Sequence, residues 1–342
     1  MSEKWPGGFI KPIPPTPTGP YQDGGATGVW TLDQMSYWLK QGLWPIAGNI
    51  APIGLFGGGS ATGNTIDKVI ITTPGNATDF GDLTTATGSL ASCSSSTRGL
   101  FGGGQTPTKT NVIEYVTIAS AGNATDFGDL TDARLALAAS SNYVRGIFGG
   151  GEGTVNPTNI IDYVSIASTG NATDFGDLTV DRQRIASCAS ETRSVFLSGQ
   201  GSTSATVYNT IDYVTIASSG NATDFGDLTT TYRYGSASSS STRGVISTGI
   251  NGAGTIVNII EYITIATPGN ATDFGDLLAT TVVLAGTSNS SRGIFGGGNN
   301  PSLTNVMAYV TIATTGNAID FGDLLAATQG LAGSSNGHGG LQ

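Results

Sequence analysis

Six pairs of carboxylates are the residues of this chain best placed by type and spacing to do chemistry. The stretch GNATDFGDL begins at Gly75 and recurs at Gly122, Gly170, Gly220 and Gly269, with GNAIDFGDL at Gly316. Each copy sets two aspartates three residues apart: Asp79 and Asp82, Asp126 and Asp129, Asp174 and Asp177, Asp224 and Asp227, Asp273 and Asp276, Asp320 and Asp323. Such carboxylates are hard oxygen donors for a cation like calcium, and across a cleft two of them can divide the acid and base roles of a hydrolysis. A dedicated calcium loop supplies a longer succession of oxygens than this, and acid–base work needs two unequal environments where these acids recur equally. The favoured reading is therefore a repeated structural turn, with no metal and no cofactor. Asn76 and Asp79 bond nearby backbone groups as Asx-type turns, Gly81 takes a positive φ, and Phe80 and Leu83 anchor the turn between sheets. Phe127, Phe175, Phe225, Phe274 and Phe321 fill the place of Phe80 in the other copies.

Other reactive groups are sparse. The single histidine, His338, stands in glycine-rich SSNGHGGLQ, a poor scaffold for a preorganised base. Cys93 and Cys188 take positions where the other units carry Ser140, Ser238, Thr287 and Ser334, so they read as packed small side chains. Units one and three are not neighbours in a ring, which puts the two thiols too far apart for a disulfide. Five NAT triplets, at Asn76, Asn123, Asn171, Asn221 and Asn270, match the glycosylation acceptor pattern, yet an Asn-rich turn produces them without a sugar. The glycine triplets lack the Lys-Ser/Thr of a phosphate loop. Arg98, Arg145, Arg193, Arg243 and Arg292 each follow an aspartate by 19 positions, and that fixed offset predicts a guanidinium paired with an Asp or a backbone carbonyl. A ligand-binding ring is the sharper alternative. No enzymatic activity is expected.

The elements that position these groups follow from the repeat. The first aspartates of the copies lie 47 to 50 residues apart, and all the length variation falls after the arginines. It is absorbed in loops such as 105–110, 152–158 and 201–208, a variable rim of polar residues. Within a unit the hydrophobic pattern has period two: NVIEYVTIAS and NTIDYVTIAS are β-branched runs, RGLFGGG and RGIFGGG end in glycines that permit a tight reversal, and RLALAASS is a weaker strand of small residues. Four short strands per unit, six times over, predict a six-bladed β-propeller. Strand-like APIGLFGGG before the first copy and LLAATQGLAGSS after the last supply material from both chain ends to close the ring. A β-helix of two coils per unit is the alternative architecture. Only 11% of residues are charged, the net charge is -10, and no run of 18 apolar residues or basic leader occurs. Neither nucleic-acid binding nor membrane insertion nor a secretion signal is expected.

The units resemble a degenerate kelch repeat over roughly residues 53–336. The likeness rests on a hydrophobic strand entering FGGG (Phe101, Phe148, Phe295), a later Tyr (Tyr115, Tyr163, Tyr213, Tyr262, Tyr309) and a further aromatic, Phe standing where kelch proteins usually carry Trp. The resemblance implies an all-β propeller of four-stranded kelch-like blades spanning residues 51–342.

Residues 1–50 differ in kind. PGGFIKPIPPTPTGPYQDGG reads as an extended arm, and it leads into GVWTLDQMSYWLKQGLWP. Thr31 and Gln34 have capping-box spacing, Leu32, Met35, Trp38 and Leu39 form one apolar helical face, and Gly42 stops the helix before Trp44. With Trp30, these side chains make a short helix expected to serve either as a plug packed on the propeller or as an assembly anchor. The Gly28 to Pro45 segment resembles a motif frequent in structural proteins of tailed phages, especially cyanophages, in tail-fibre-like and other virion-associated chains. That resemblance implies a virion component, docked to other virion proteins through residues 1–50. Its variable loops would face a host-surface glycan or protein. Capsid or neck decoration, or a kelch-like protein-interaction module, are the other readings.

Overall fold

Small residues at the axis and larger ones outward sort the chain into six four-stranded antiparallel sheets. A computed structural model describes residues 4–5, 8–9, 52–60 and 63–341. The chain divides into two units, Met1–Pro52 and Ile53–Gln342. In the first, Lys4–Trp5 and Gly8–Phe9 pair as a two-stranded ladder. The expected helix and its side chains, Trp30, Leu32, Met35, Trp38, Leu39 and Trp44, lie outside the described residues. In the second, blade 2 runs from an inner strand Ala91–Ser94 through Arg98–Gly102 and Val112–Thr117 to an outer strand Thr125–Asp129. Blades 3 to 6 repeat this order, with inner strands Ala138–Ser141, Ala186–Ala189, Ser236–Ser239 and Ala285–Ser288.

Blade 1 is assembled from both ends of this unit. Leu331–Ser335 provides its inner strand and pairs with Ile53–Gly58, which pairs in turn with Thr65–Ile70, followed by Thr78–Asp82. The inner strands pack side by side in a complete circuit, the last blade against the first. The fold is thus an all-β, six-bladed propeller with kelch-like four-stranded blades, and the circuit rules out the β-helix alternative.

Between blades the core is a series of size matches. The Phe101 ring of blade 2 lies where a Cβ on Gly57 of blade 1 would come within 2.5 Å, and Phe148 stands in the same relation to Gly102, and Phe196 to Gly149. In blade 4 the glycine is replaced by Leu197, and the facing residue of blade 5 is Ile246 in place of Phe; the two share one buried cluster. VFLSGQ, irregular as sequence, keeps the volume of the interface constant.

The nine-residue motif is not a turn. Residues Thr125–Asp129, and their equivalents in every blade, are the outer strand, with a β-bulge that leaves Phe127 unpaired between the Asp126 and Gly128 registers. The bulge supplies the local bend the sequence suggests while the strand continues through it. The asparagines also act across blades and not as local Asx turns. Gly122 and Ala124 of blade 2 donate their N–H groups to Phe80 O and Asp82 O of blade 1 at 2.7 and 2.8 Å. Asn123 Oδ1 accepts from Asp82 N at 3.1 Å. The Gly-Asn-Ala of each copy therefore clasps the Asp-Phe-Gly-Asp of the preceding one. The clasp recurs at Asn171, Asn221, Asn270 and Asn317, and Asn76 closes the ring onto Asp323.

Gly128 carries the closest approach in this clasp. Its φ is 148°, and a Cβ there would sit 2.4 Å from Gly170 O of the next blade. Gly128→Ala is expected to destabilise the propeller by about 1–3 kcal/mol, read as a lowered urea midpoint by circular dichroism. A midpoint equal to that of the parent would show that the blades are not held together at this contact.

Candidate functional site

The propeller presents two unlike faces, and only one is both open and irregular. On that face lie the loops joining second to third strands and the linkers joining each outer strand to the next inner one. Every linker contains one residue in the left-handed region: Ser89, Ala136, Arg184, Tyr234, Val283 and Gly330, with φ between 55° and 71°. Their backbones form a closed cycle. Ser89 N–H donates to Gly330 O at 2.8 Å, Ala136 to Ser89 at 2.9 Å, Arg184 to Ala136 at 2.7 Å, Tyr234 to Arg184 at 3.1 Å, Val283 to Tyr234 at 3.4 Å, and Gly330 to Val283 at 2.9 Å. Five of the six are not glycine, at about 1 kcal/mol of strain each. The cycle rims a solvent-open recess at the mouth of the central channel.

At the channel's other end a second ring is built from serines. Ser94 Oγ donates to Ser335 O at 2.6 Å, Ser141 Oγ to Ser94 O at 2.7 Å, and Ser239 Oγ to Ala189 O and Ser288 Oγ to Ser239 O at 2.8 Å each. The residues after the last strand fold across this ring. His338 Nε2 lies 3.0 Å from Ser94 O, its Nδ1 accepts from Gly340 N at 3.1 Å, and Tyr143 Oη donates to Leu341 O. These bonds specify a neutral imidazole with its proton on Nε2. Burial accordingly pulls the His338 pKa down to about 4.

Buried acids on the third strands hold the linkers of the open face. Asp162 accepts from Thr131 N at 3.2 Å and Thr131 Oγ1 at 2.6 Å. Arg134 Nη2 meets the same carboxylate at 2.6 Å, both side chains being fully buried. Arg182 and Asp212 repeat the pair at 2.9 Å. Where the acid is the longer Glu114 or Glu261, Thr84 or Thr229 still binds it, and no arginine is needed. In blade 6 the acid is Ala308 and the threonine is Leu278; donor and acceptor disappear together.

The repeated arginines lie at the opposite face. Arg98 Nη1 donates to Ile166 O of the next blade at 3.0 Å, and its guanidinium stacks 4.7 Å from the Tyr115 ring centre. Tyr115 in turn meets Phe127 edge-on at 5.8 Å. The same column forms at Arg145, Arg193, Arg243 and Arg292. Their partners are backbone carbonyls, not the aspartates. The phenylalanines Phe80, Phe127, Phe175, Phe225, Phe274 and Phe321 are buried between blades. Asp79, Asp126, Asp174, Asp224, Asp273 and Asp320 are exposed on the outer rim, while Asp82, Asp129, Asp177, Asp227, Asp276 and Asp323 are half-buried, giving backbone groups to the clasps. Among the described residues no three His, Cys, Asp or Glu side chains are grouped to hold a metal ion. Cys93 and Cys188, in blades 2 and 4, are buried free thiols; burial pushes the Cys188 pKa up to about 12. No helix among the described residues is long and apolar enough to cross a membrane.

The irregular residues therefore gather at the open mouth. Arg184 and Tyr234 occupy adjacent places in the backbone cycle and stack at 4.5 Å. Lys109 of the blade 2 loop pairs with Glu152 of the blade 3 loop at 3.1 Å and donates to Gly153 O at 2.9 Å. A groove between these loops runs to the mouth, lined by Gln105, Pro107, Thr108, Lys109, Glu152, Arg184 and Tyr234 among others. The sequence singled out the loops but not Arg184 or Tyr234. Their signal was available: at a position fixed in every repeat, they are large and unlike their equivalents. Comparison of the chain with protein-family models and with curated proteins finds no match.

Two outcomes test this account. Asp162→Ala leaves the Arg134 guanidinium buried without its counter-charge, so a loss of about 3–5 kcal/mol is expected in urea denaturation. For His338, the folded pKa lies below the unfolded value of 6.5, so its contribution is complete above that pH and lost as pH falls towards 4. Asp67 and Glu261, whose carboxyls burial holds above the usual range, act in the opposite sense. The comparison is therefore between the parent and His338→Gln: the parent should lose on the order of 3 kcal/mol more between pH 7 and pH 4. Parallel pH profiles would contradict a half-buried neutral imidazole.

Proposed function

We propose that this chain is a non-enzymatic virion structural protein, a rigid propeller that displays one face of irregular loops while residues 1–50 dock it to other proteins of the particle. The observation that carries the display role is the division of labour between faces. Clasps, arginine columns and the serine ring repeat around the axis, whereas loops 105–110, 152–158 and 201–208 differ in length and sequence on a scaffold that fixes their bases. Loops held on a rigid frame suit recognition, and that arrangement is compatible with a protein-interaction or scaffolding role. The virion assignment draws on the Gly28 to Pro45 segment, whose phage-like motif and concentration of Trp30, Leu32, Trp38 and Trp44 fit a docking hot spot. A tail position would turn the loop face towards a host surface, with a glycan or protein as partner.

Removal of residues 1–50 is the test, because Ile53–Gln342 contains its own closed circuit of strands. The truncated chain should remain β-rich and melt cooperatively but fail to enter assembled phage particles. Trp30→Ala combined with Trp44→Ala should reduce incorporation at least about tenfold, an interface loss of 1.4 kcal/mol or more, without changing the melting temperature. Normal incorporation of either variant would refute the anchor; collapse of the truncated propeller would make the segment part of the fold.

A further inference from the structure

Arg184 differs from every other arginine of the propeller that carries a stacked or buried role. Arg98 and its four equivalents spend their Nη1 donors on carbonyls of the next blade, and Arg134 and Arg182 are fully buried against aspartates. Among the described residues the Arg184 side chain makes one hydrogen bond, from Nη1 to Gln200 Oε1 at 2.7 Å, and the residue is half-buried at the channel mouth. Tyr234, stacked on it, and Gln200 fix the plane of the fork before any ligand arrives. Both residues hold a left-handed backbone that the equivalent Gly330 adopts without strain. Large side chains kept at a strained position, not needed for packing, point to a use at the surface.

We infer that the channel mouth binds an acidic carbohydrate, the sugar carboxylate pairing with the Arg184 guanidinium and the chain continuing along the groove between the blade 2 and blade 3 loops. The guanidinium fork matches a carboxylate. Along the groove, Gln105, Thr108 and Ser89 offer amide and hydroxyl groups that both donate and accept, as sugar hydroxyls require, and Pro107 and Tyr234 add apolar lining for sugar C–H groups. The Lys109–Glu152 pair bridges the two walls and fixes the groove's width. An added peptide strand is disfavoured, because Gly88 pairs with Gln105, Leu135 with Glu152 and Gln183 with Gln200, occupying the backbone groups such a strand would use. The serine ring and the tail around His338 lie across the other end of the channel, so a ligand entering from the mouth meets a closed floor. This inference rests on the reading that the loop face is the displayed one.

The test is calorimetric titration of the full-length chain with tetragalacturonate and with a tetramer of α2,8-linked sialic acid, each beside its neutral methyl ester. At least one acid is expected to bind, more weakly as salt rises, with its ester about tenfold weaker or worse. Arg184→Gln and Tyr234→Ala should each weaken binding by about tenfold, while Asp79→Asn on the outer rim should not. Melting curves establish that the variants are folded. Equal binding of acid and ester, undiminished binding by Arg184→Gln, binding of neither acid, or binding of tetraglutamate in their place would each overturn the proposal. Incorporation of the same proteins into particles is scored separately: normal incorporation without acid binding refutes this site alone, and acid binding without incorporation refutes the docking role alone.

Discussion

The clasp between consecutive copies of the nine-residue motif is the constraint on which the propeller depends. A four-stranded blade has an outer strand with unpaired N–H and C=O groups, and six such edges would invite pairing with other chains. Here each edge is met by the Gly-Asn-Ala of the following blade, through two backbone bonds and one asparagine side chain. Copies nearly identical in sequence follow, because every copy is both clasp and clasped. The requirement also explains what varies. Ile319 stands where the other copies have Thr and is exposed, while Asn317 and Ala318 beside it keep their bonds. The acceptor-like NAT triplets are a by-product of an asparagine needed for its Oδ1.

Towards the axis the same logic operates through size and pairing. Cys93 and Cys188 press their sulfurs towards Gly146 and Gly244 of the next blades, where a Cβ would come within 2.5 and 2.6 Å. Ser140 faces Ser194 instead of a glycine, and the two hydroxyls bond at 2.6 Å. In blade 1, Ile53 and Lys68 stand at the Arg and Tyr positions of the column, so both partners of the stacking pair are absent at once. At these positions the departures from the repeat are paired across an interface, and each preserves either volume or hydrogen bonding. A single-blade view of VFLSGQ or of Ala308 shows only degeneracy; the facing residues supply its reason.

Much of the fold was legible because strands and reversals are local. Period-two runs, glycine-ended strands and spacings of 47 to 50 residues fixed the blade, and strand-like ends predicted the closure made by Leu331–Ser335 with Ile53–Gly58. The separation of Cys93 from Cys188 also followed from repetition, whereas the repeat left an Asp and a backbone carbonyl equally open as partners of the arginines. What stayed hidden depends on which copy faces which. Asn76 reads as a local turn residue because an Asx turn and an inter-blade bond use the same oxygen. Arg134 and Arg182 recur only twice and escape a search for repeats, although their threonine and aspartate partners follow a regular spacing. His338 looked unsupported because its scaffold is the serine ring, assembled from all around the axis.

A symmetric frame makes asymmetry informative. Six backbones in the same left-handed conformation, joined in one cycle, impose the same demand at Ser89, Ala136, Arg184, Tyr234, Val283 and Gly330. Glycine satisfies that demand with the least strain, and blade 1 uses it. Packing does not select the large side chains either, since the residues share a backbone position and range from glycine to arginine while the cycle keeps its shape. At the clasps, by contrast, substitutions are nearly absent, and in the core several come in compensating pairs. Arg184 and Tyr234 stack on each other at the rim of an open recess, with Gln200 accepting one guanidinium bond. Their contact orients a charged fork towards solvent without burying it, so its energetic return comes from a group that arrives from outside.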